Sequence, residues 1–186
     1  MLTEQNHAAL RLDGLAAEEA ELVFESFDND TAWRLGCRLV EAARAAGLPV
    51  AIGIRRGSQQ LFHAALPGTC ADNDAWLARK ARVVERFARS SFGVGTHCLA
   101  SGRSFEETYR LDPVTYAAHG GAFPVTVRAV GVVGSVGVSG LPQSDDHAFV
   151  VEQLRAFLAA ESRAAEARAA EARASQFGDP GASGHR

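Results

Sequence analysis

The chain holds 186 residues, 47% of them hydrophobic, with 19 basic against 22 acidic side chains and a formal net charge of -3. That size and apolar content suit one domain with a sizeable core, and the weakly acidic balance lacks the basic footprint of a general nucleic-acid binder. Met1 to Leu22 is interrupted by Glu4, Arg11, Asp13, Glu18 and Glu19, so it offers neither an export h-region nor a membrane span, and the expected compartment is the cytoplasm.

Residues 1–20 read as an N-terminal segment with helical character, ahead of a domain over 21–160. Glu21 to Phe27 alternates enough to predict a first strand, and Asp28-Asn29-Asp30 supplies N-cap chemistry for a helix running to about Ala46. Gly47 and Pro49 then punctuate its end. Val50 to Ile54 and Gln60 to Ala65 are strand-like runs around Arg55-Arg56-Gly57-Ser58, a predicted hairpin closed by Pro67-Gly68. Asp72 to Ser90 carries Trp76, Leu77, Val83, Val84 and Phe87 at helical spacing. Ser104-Phe105-Glu106-Glu107 matches a capping box for a short helix stopped at Asp112-Pro113, and another short helical turn is expected from Val114 to His119.

The most informative stretch, Tyr116 to His147, holds two apolar β runs, Ala122 to Arg128 and Gly131 to Val138, joined at Ala129-Val130. A glycine-rich loop then delivers Ser144, Asp145, Asp146 and His147 to a last helix, with Ser144 as the expected N-cap and Val150, Val151, Leu154, Phe157 and Leu158 as its apolar stripe. Residues 161–186 are expected to make an Ala/Glu/Arg-rich helical extension and, from Phe177, a Gly/Ser/Pro-rich disordered tail. Its Arg163/Glu166 and Arg168/Glu171 pairs add only about 0.2–0.5 kcal/mol each.

Three cysteines without Cys-x-x-Cys spacing argue against a disulfide framework or zinc ribbon. Free cysteines usually act as small buried hydrophobes. Cys37, among Leu35, Leu39 and Val40, fits that reading best. The third-residue repeat Gly131, Gly134, Gly137, Gly140 lacks the Gly-Lys-Ser/Thr of a phosphate loop and reads as small residues that let a helix pack close to a sheet. No Gly-x-Ser-x-Gly elbow or His-Glu-x-x-His is present. Whether any reaction is catalysed stays open.

These elements predict an α+β fold with a largely antiparallel five-stranded sheet and flanking helices. Its exposed edge strands favour self-association. Four sequence blocks carry a family resemblance: Asp72-Asn73-Asp74-x-Trp76-x-x-Arg79-Lys80, Ser90-Ser91, Tyr116-x-x-His119-Gly120-Gly121-x-Phe123-Pro124, and Val138-Ser139-Gly140-Leu141-Pro142-Gln143-x-Asp145-Asp146-His147. In this order they resemble an uncharacterised branch of the haem-degrading-domain superfamily, the GlcG/HbpS-like proteins. The resemblance implies a profilin-like domain, assembly into dimers or larger rings, and haem or iron as ligand in some relatives. This branch differs in having Phe123 before the proline and Leu-Pro-Gln after Gly140.

The candidate ligand-binding residues are Trp76, Arg79, Lys80, His119, Gly120, Gly121, Phe123, Asp146 and His147. His119 and His147 are the candidate metal ligands, since neutral imidazoles ligate iron, and the two glycines would let backbone approach a ligand. Bland alternatives stand beside each: a helix-capping His119, a His147 bonded to local backbone, an Arg79 paired with Asp145 or Asp146, and Trp76 and Phe123 as core. The leading function is an oligomeric binder of a small anionic or planar ligand, possessing neither nucleic-acid nor membrane partners, with haem or iron first by resemblance. An assembly module without catalysis and a haem-degrading enzyme are the alternatives.

Overall fold

Side-chain alternation along the central strands gives the sheet two unlike faces, and those faces place everything else. The computed structural model describes residues 3–176; the tail expected from Phe177 lies outside them. In chain order the elements are α1 (Glu4–Glu21), β1 (Val23–Phe24), α2 (Asn29–Ala45), β2 (Ala51–Arg56), β3 (Gln59–Ala65), α3 (Ala71–Phe87), α4 (Ser91–Ala100), α5 (Phe105–Tyr109), β4 (Ala122–Val127), β5 (Gly131–Ser139) and α6 (Gln143–Gln176). The strands form one five-stranded sheet in the order β1-β4-β5-β2-β3. Only the β1–β4 pair is parallel. The expected α+β architecture is therefore the one observed.

Ile52, Ile54, Phe123, Val125, Val136 and Val138 project to one face and form the main core with Leu35 and Leu39 of α2 and Val150, Val151, Leu154 and Phe157 of α6. Each such side chain, fully buried, stabilises the fold by about 1.5–3 kcal/mol. The intervening positions are small: Ala51 pairs with Ser139, Gly53 with Gly137, and Ala122 also with Gly137. That second face carries α3, and α1 packs on α4.

Local chemistry explains most boundaries. Asp28 Oδ1 accepts from the Thr31 amide at 2.7 Å and starts α2. The Cys70 amide donates to Asn73 Oδ1 at 2.8 Å and starts α3. The Ser104 box is formed in both directions, at 3.1 and 2.8 Å.

Several expectations are corrected. The first strand shrinks to two residues because α1 runs to Glu21 and Asp28 is already a cap. Val114 to His119 makes only a turn, in which the Thr115 and Tyr116 amides both donate to the Asp112 carbonyl. Residues 91–100, for which the sequence suggested no element, form α4. The last helix starts at Gln143, where the Pro142 carbonyl accepts from the Asp145 and Asp146 amides, so Ser144 is not its cap. Cys98 is the buried cysteine, whereas Cys37 is half-buried. Three of the four repeated glycines make room first for neighbouring backbone, while Gly131 has open space around it: a Cβ at Gly137 would lie 2.9 Å from the Gly121 carbonyl oxygen, and Cβ atoms at Gly134 and Gly140 would meet the carbonyls of Arg55 and Pro49.

Candidate functional site

The first three turns of α3 present Trp76, Arg79 and Lys80 toward the loop that enters β4. Trp76 Nε1 donates to Asp72 Oδ2 at 3.1 Å, which fixes the indole against its own helix. The Arg79 guanidinium lies 3.8 Å from the indole centroid and donates to the Pro113 carbonyl at 3.3 Å. The His119 ring meets the same indole edge-on, with centroids 5.2 Å apart. An arginine, an indole and an imidazole thus make one stacked cluster, an arrangement that favours flat or anionic groups.

Lys80 goes inward. It is 3% exposed and its Nζ donates to Asp146 Oδ2 at 2.8 Å and to the Val138 carbonyl at 3.3 Å. Asp146, 1% exposed, uses its other oxygen to accept from the Leu141 amide at 3.0 Å. Burial pulls both groups toward their neutral forms, the lysine pKa down and the aspartate pKa up, while each partner's charge opposes the shift. The ion pair that the sequence left open for Arg79 is therefore made by Lys80.

Gly121 makes this reach feasible. Its φ is +120°, and a Cβ there would stand 2.5 Å from the Val138 carbonyl oxygen and 2.8 Å from Lys80 Nζ. The Gly120 amide donates to Gln143 Oε1 at 3.4 Å. Ser91, at the start of α4, holds the same turn: its hydroxyl donates to the His119 carbonyl and accepts from the Ala122 amide at 3.1 Å. Only the Ser90-Ser91 block of the sequence hinted at that role.

Asn73, Trp76, Lys80, His119, Gln143 and Asp146 line a cavity of about 260 Å³. His119 and Gln143 also border a larger groove of about 1010 Å³, whose other walls include Arg11, Phe92, Leu99, Arg103 and Phe105. The His119 pKa is lowered first by desolvation and then by the charge of Lys80; Glu106 pulls the other way, and Arg79 adds the smallest lowering. That lowering favours the neutral imidazole at pH 7.

The structure does not bring all the candidates together. Phe123 is fully buried in the main core. His147 is buried too: its Nε2 bonds Glu18 Oε2 of α1 at 3.0 Å, and its ring packs on Phe92 at 4.9 Å and Phe123 at 6.1 Å. Desolvation lowers its pKa, opposed by Glu18, and its Nδ1 has no hydrogen-bond partner among the described residues. His147 lines neither of the two cavities that His119 borders. Nor do three or more His, Cys, Asp or Glu side chains converge on a metal-sized site among the described residues.

The family model described as haem degrading protein HbpS-like matches residues 27–155. This chain belongs to the HbpS-like family. A UPF0303 protein of Streptomyces coelicolor is 61% identical over 144 residues, spanning 77% of this chain and 91% of its own. Its counterpart in Edwardsiella ictaluri is 48% identical, spanning 77% and 92%. Among solved structures, Ybr137w superposes with a TM-score of 0.75 at 32% identity, covering 81% of this chain and 88% of that one. A PduOC–haem complex gives 0.58 at 18% identity, covering 73% and 95%. HbpS itself gives 0.57 at 21%, covering 75% and 95%. These last two likenesses show the shared HbpS-like fold. No helix among the described residues is long and apolar enough to cross a membrane.

Proposed function

We propose that this HbpS-like protein is a self-associating, cytoplasmic binder of a planar anionic ligand, with haem as the leading ligand. One observation carries the reading: a neutral imidazole, His119, stands where the cavity and the larger groove meet, beside an indole and a guanidinium. The residues fit haem on their chemistry. His119 would hold the iron, Phe92, Leu99 and Phe105 would form the apolar wall, and Arg11, Arg79 and Arg103 would pair with anionic substituents. A relative's solved complex with haem supports this choice. Bare iron fits less well, because Asp146 is engaged by Lys80 and by the Leu141 amide, and His147 by Glu18. Three cysteines free of disulfides suit a reducing compartment.

Titration with haemin, followed at the Soret band, tests the reading. The expected result is a sharp shift in the parent protein and none at micromolar haemin in His119→Ala, with His147→Gln still binding. Binding should hold above pH 6.5 and fade as acid protonates the His119 imidazole, at a pH below its ordinary 6.5. An unchanged shift in His119→Ala overturns the assignment. Bleaching of the band with reductant and oxygen would make the protein a haem-degrading enzyme. A parent protein that gives no shift favours assembly without a small ligand, a reading supported by Trp33, which is 62% exposed and stacks edge-on against Phe62 of the open edge strand β3.

A further inference from the structure

The opposite flank of α3 covers a separate cavity of about 320 Å³. It shares no lining residue with the His119 cavity or the adjoining groove. Its floor is the small-residue face of the sheet, Gly53, Ala122, Ser135 and Gly137, and its roof is Leu77, Ala78 and Ala81 of α3. The floor is open by construction. A Cβ added at Gly53 would meet only Leu77 Cδ1, at 3.7 Å.

One cation stands in this wall. Arg55 makes no ion pair with any acid among the described residues. Its Nε is buried and has no hydrogen-bond partner among the described residues. The one hydrogen bond of its side chain among the described residues is a long one, 3.4 Å, from Nη2 to the Ser58 carbonyl. A buried guanidinium nitrogen left without an acceptor is costly, because its water has been removed and nothing replaces it.

The backbone arranges polar company around it. An uninterrupted ladder would set Leu61 opposite Arg55, but the register shifts between Ile54 and Arg55, so Gln60 stands there instead. Bulges of this kind re-aim side chains. Gln60 and Arg55 both line the cavity, as does Ser135, which is 6% exposed and whose hydroxyl makes no hydrogen bond among the described residues. At the mouth, His63 Nε2 holds Asp74 Oδ1 at 2.7 Å, so the one acid of the lining already has a partner.

We infer that this cavity binds a small organic carboxylate, its anionic end on Arg55 and Ser135 and its short apolar body between Leu77, Ala78, Ala81 and the glycine floor. The planar fork of a guanidinium matches a carboxylate, and a single cation suits a single negative charge. The volume is at the small end of ligand sites.

The test is titration of isotopically labelled protein with benzoate and butyrate, read from amide shifts of Gly53, Ser135 and Gly137, with inorganic phosphate at matched ionic strength as the rival anion. Saturable shifts with the carboxylates are expected, weakened roughly ten- to hundredfold in Arg55→Gln. Gly53→Val narrows the cavity and should remove benzoate binding, while Arg55→Gln leaves the space intact and tests the charge alone. No shift at tens of millimolar carboxylate overturns the inference. So do shifts unaltered in Arg55→Gln, benzoate binding retained in folded Gly53→Val, or equal shifts with phosphate, which would mean the site reads charge without shape.

Discussion

The two flanks of α3 meet the same sheet in opposite ways. On the Lys80 side every polar atom of an ion pair is engaged, and Gly121 leaves no room for even a methyl group. On the Gly53 side the side chains are too small to fill the gap, and a guanidinium is left short of acceptors. Dense satisfaction fixes geometry, whereas missing side chains keep space. One helix can therefore lie between a rigid support for His119 and an open cavity.

Substitutions on the two flanks should separate in size. Lys80→Met leaves the Asp146 carboxylate buried without its cation and should cost about 3–5 kcal/mol in urea unfolding. The double variant Lys80→Met/Asp146→Asn, which keeps an acceptor for the Leu141 amide, should recover most of that loss. A double variant no more stable than the single one would mean that the pair's charge is not the source of the cost. Gly121→Ala comes next. Its left-handed φ and the Val138 carbonyl together predict a loss of about 1–3 kcal/mol. The smallest effect belongs to the open flank, where Gly53→Ala should be neutral or stabilising by about 0.5–1 kcal/mol, since a glycine inside a strand carries an entropy penalty and the added methyl has space. Destabilisation there would erase the contrast between the flanks.

The sequence showed one of these flanks better than the other. Trp76, Arg79, Lys80, His119 and Asp146 could be gathered because each sits in a dense polar or glycine-marked block, and the structure brings all five to one cavity or its rim. Which basic residue pairs with Asp146 was not legible. Arg79 and Lys80 are adjacent on the helix and point about 100° apart, so only the packed sheet decides which one goes inward. His147 was misread for a similar reason: its partner, Glu18, lies 129 residues away in a helix whose docking no local pattern reveals. The α4 helix was hidden by Gly93 and Gly95, poor helix formers. At those positions a Cβ would crowd Ser90 and Glu19, or collide with the Ala118 carbonyl. The Arg55 cavity left no signature, because register shifts and absent side chains have no motif.

Helix α1 lies entirely ahead of the family match, yet three of its carboxylates reach far along the chain: Glu18 to His147, Glu19 to Arg89 and Ser90, and Glu21 to Arg155 through two bonds of 2.7 Å. The limits of shared ancestry and of mechanical integrity therefore differ. Trimming the polypeptide to its recognisable homologous span would unfasten a three-pronged clasp, bare the Phe92 ring to water and strip His147 of its hydrogen-bond partner, so a truncated fragment is a poor stand-in for the whole.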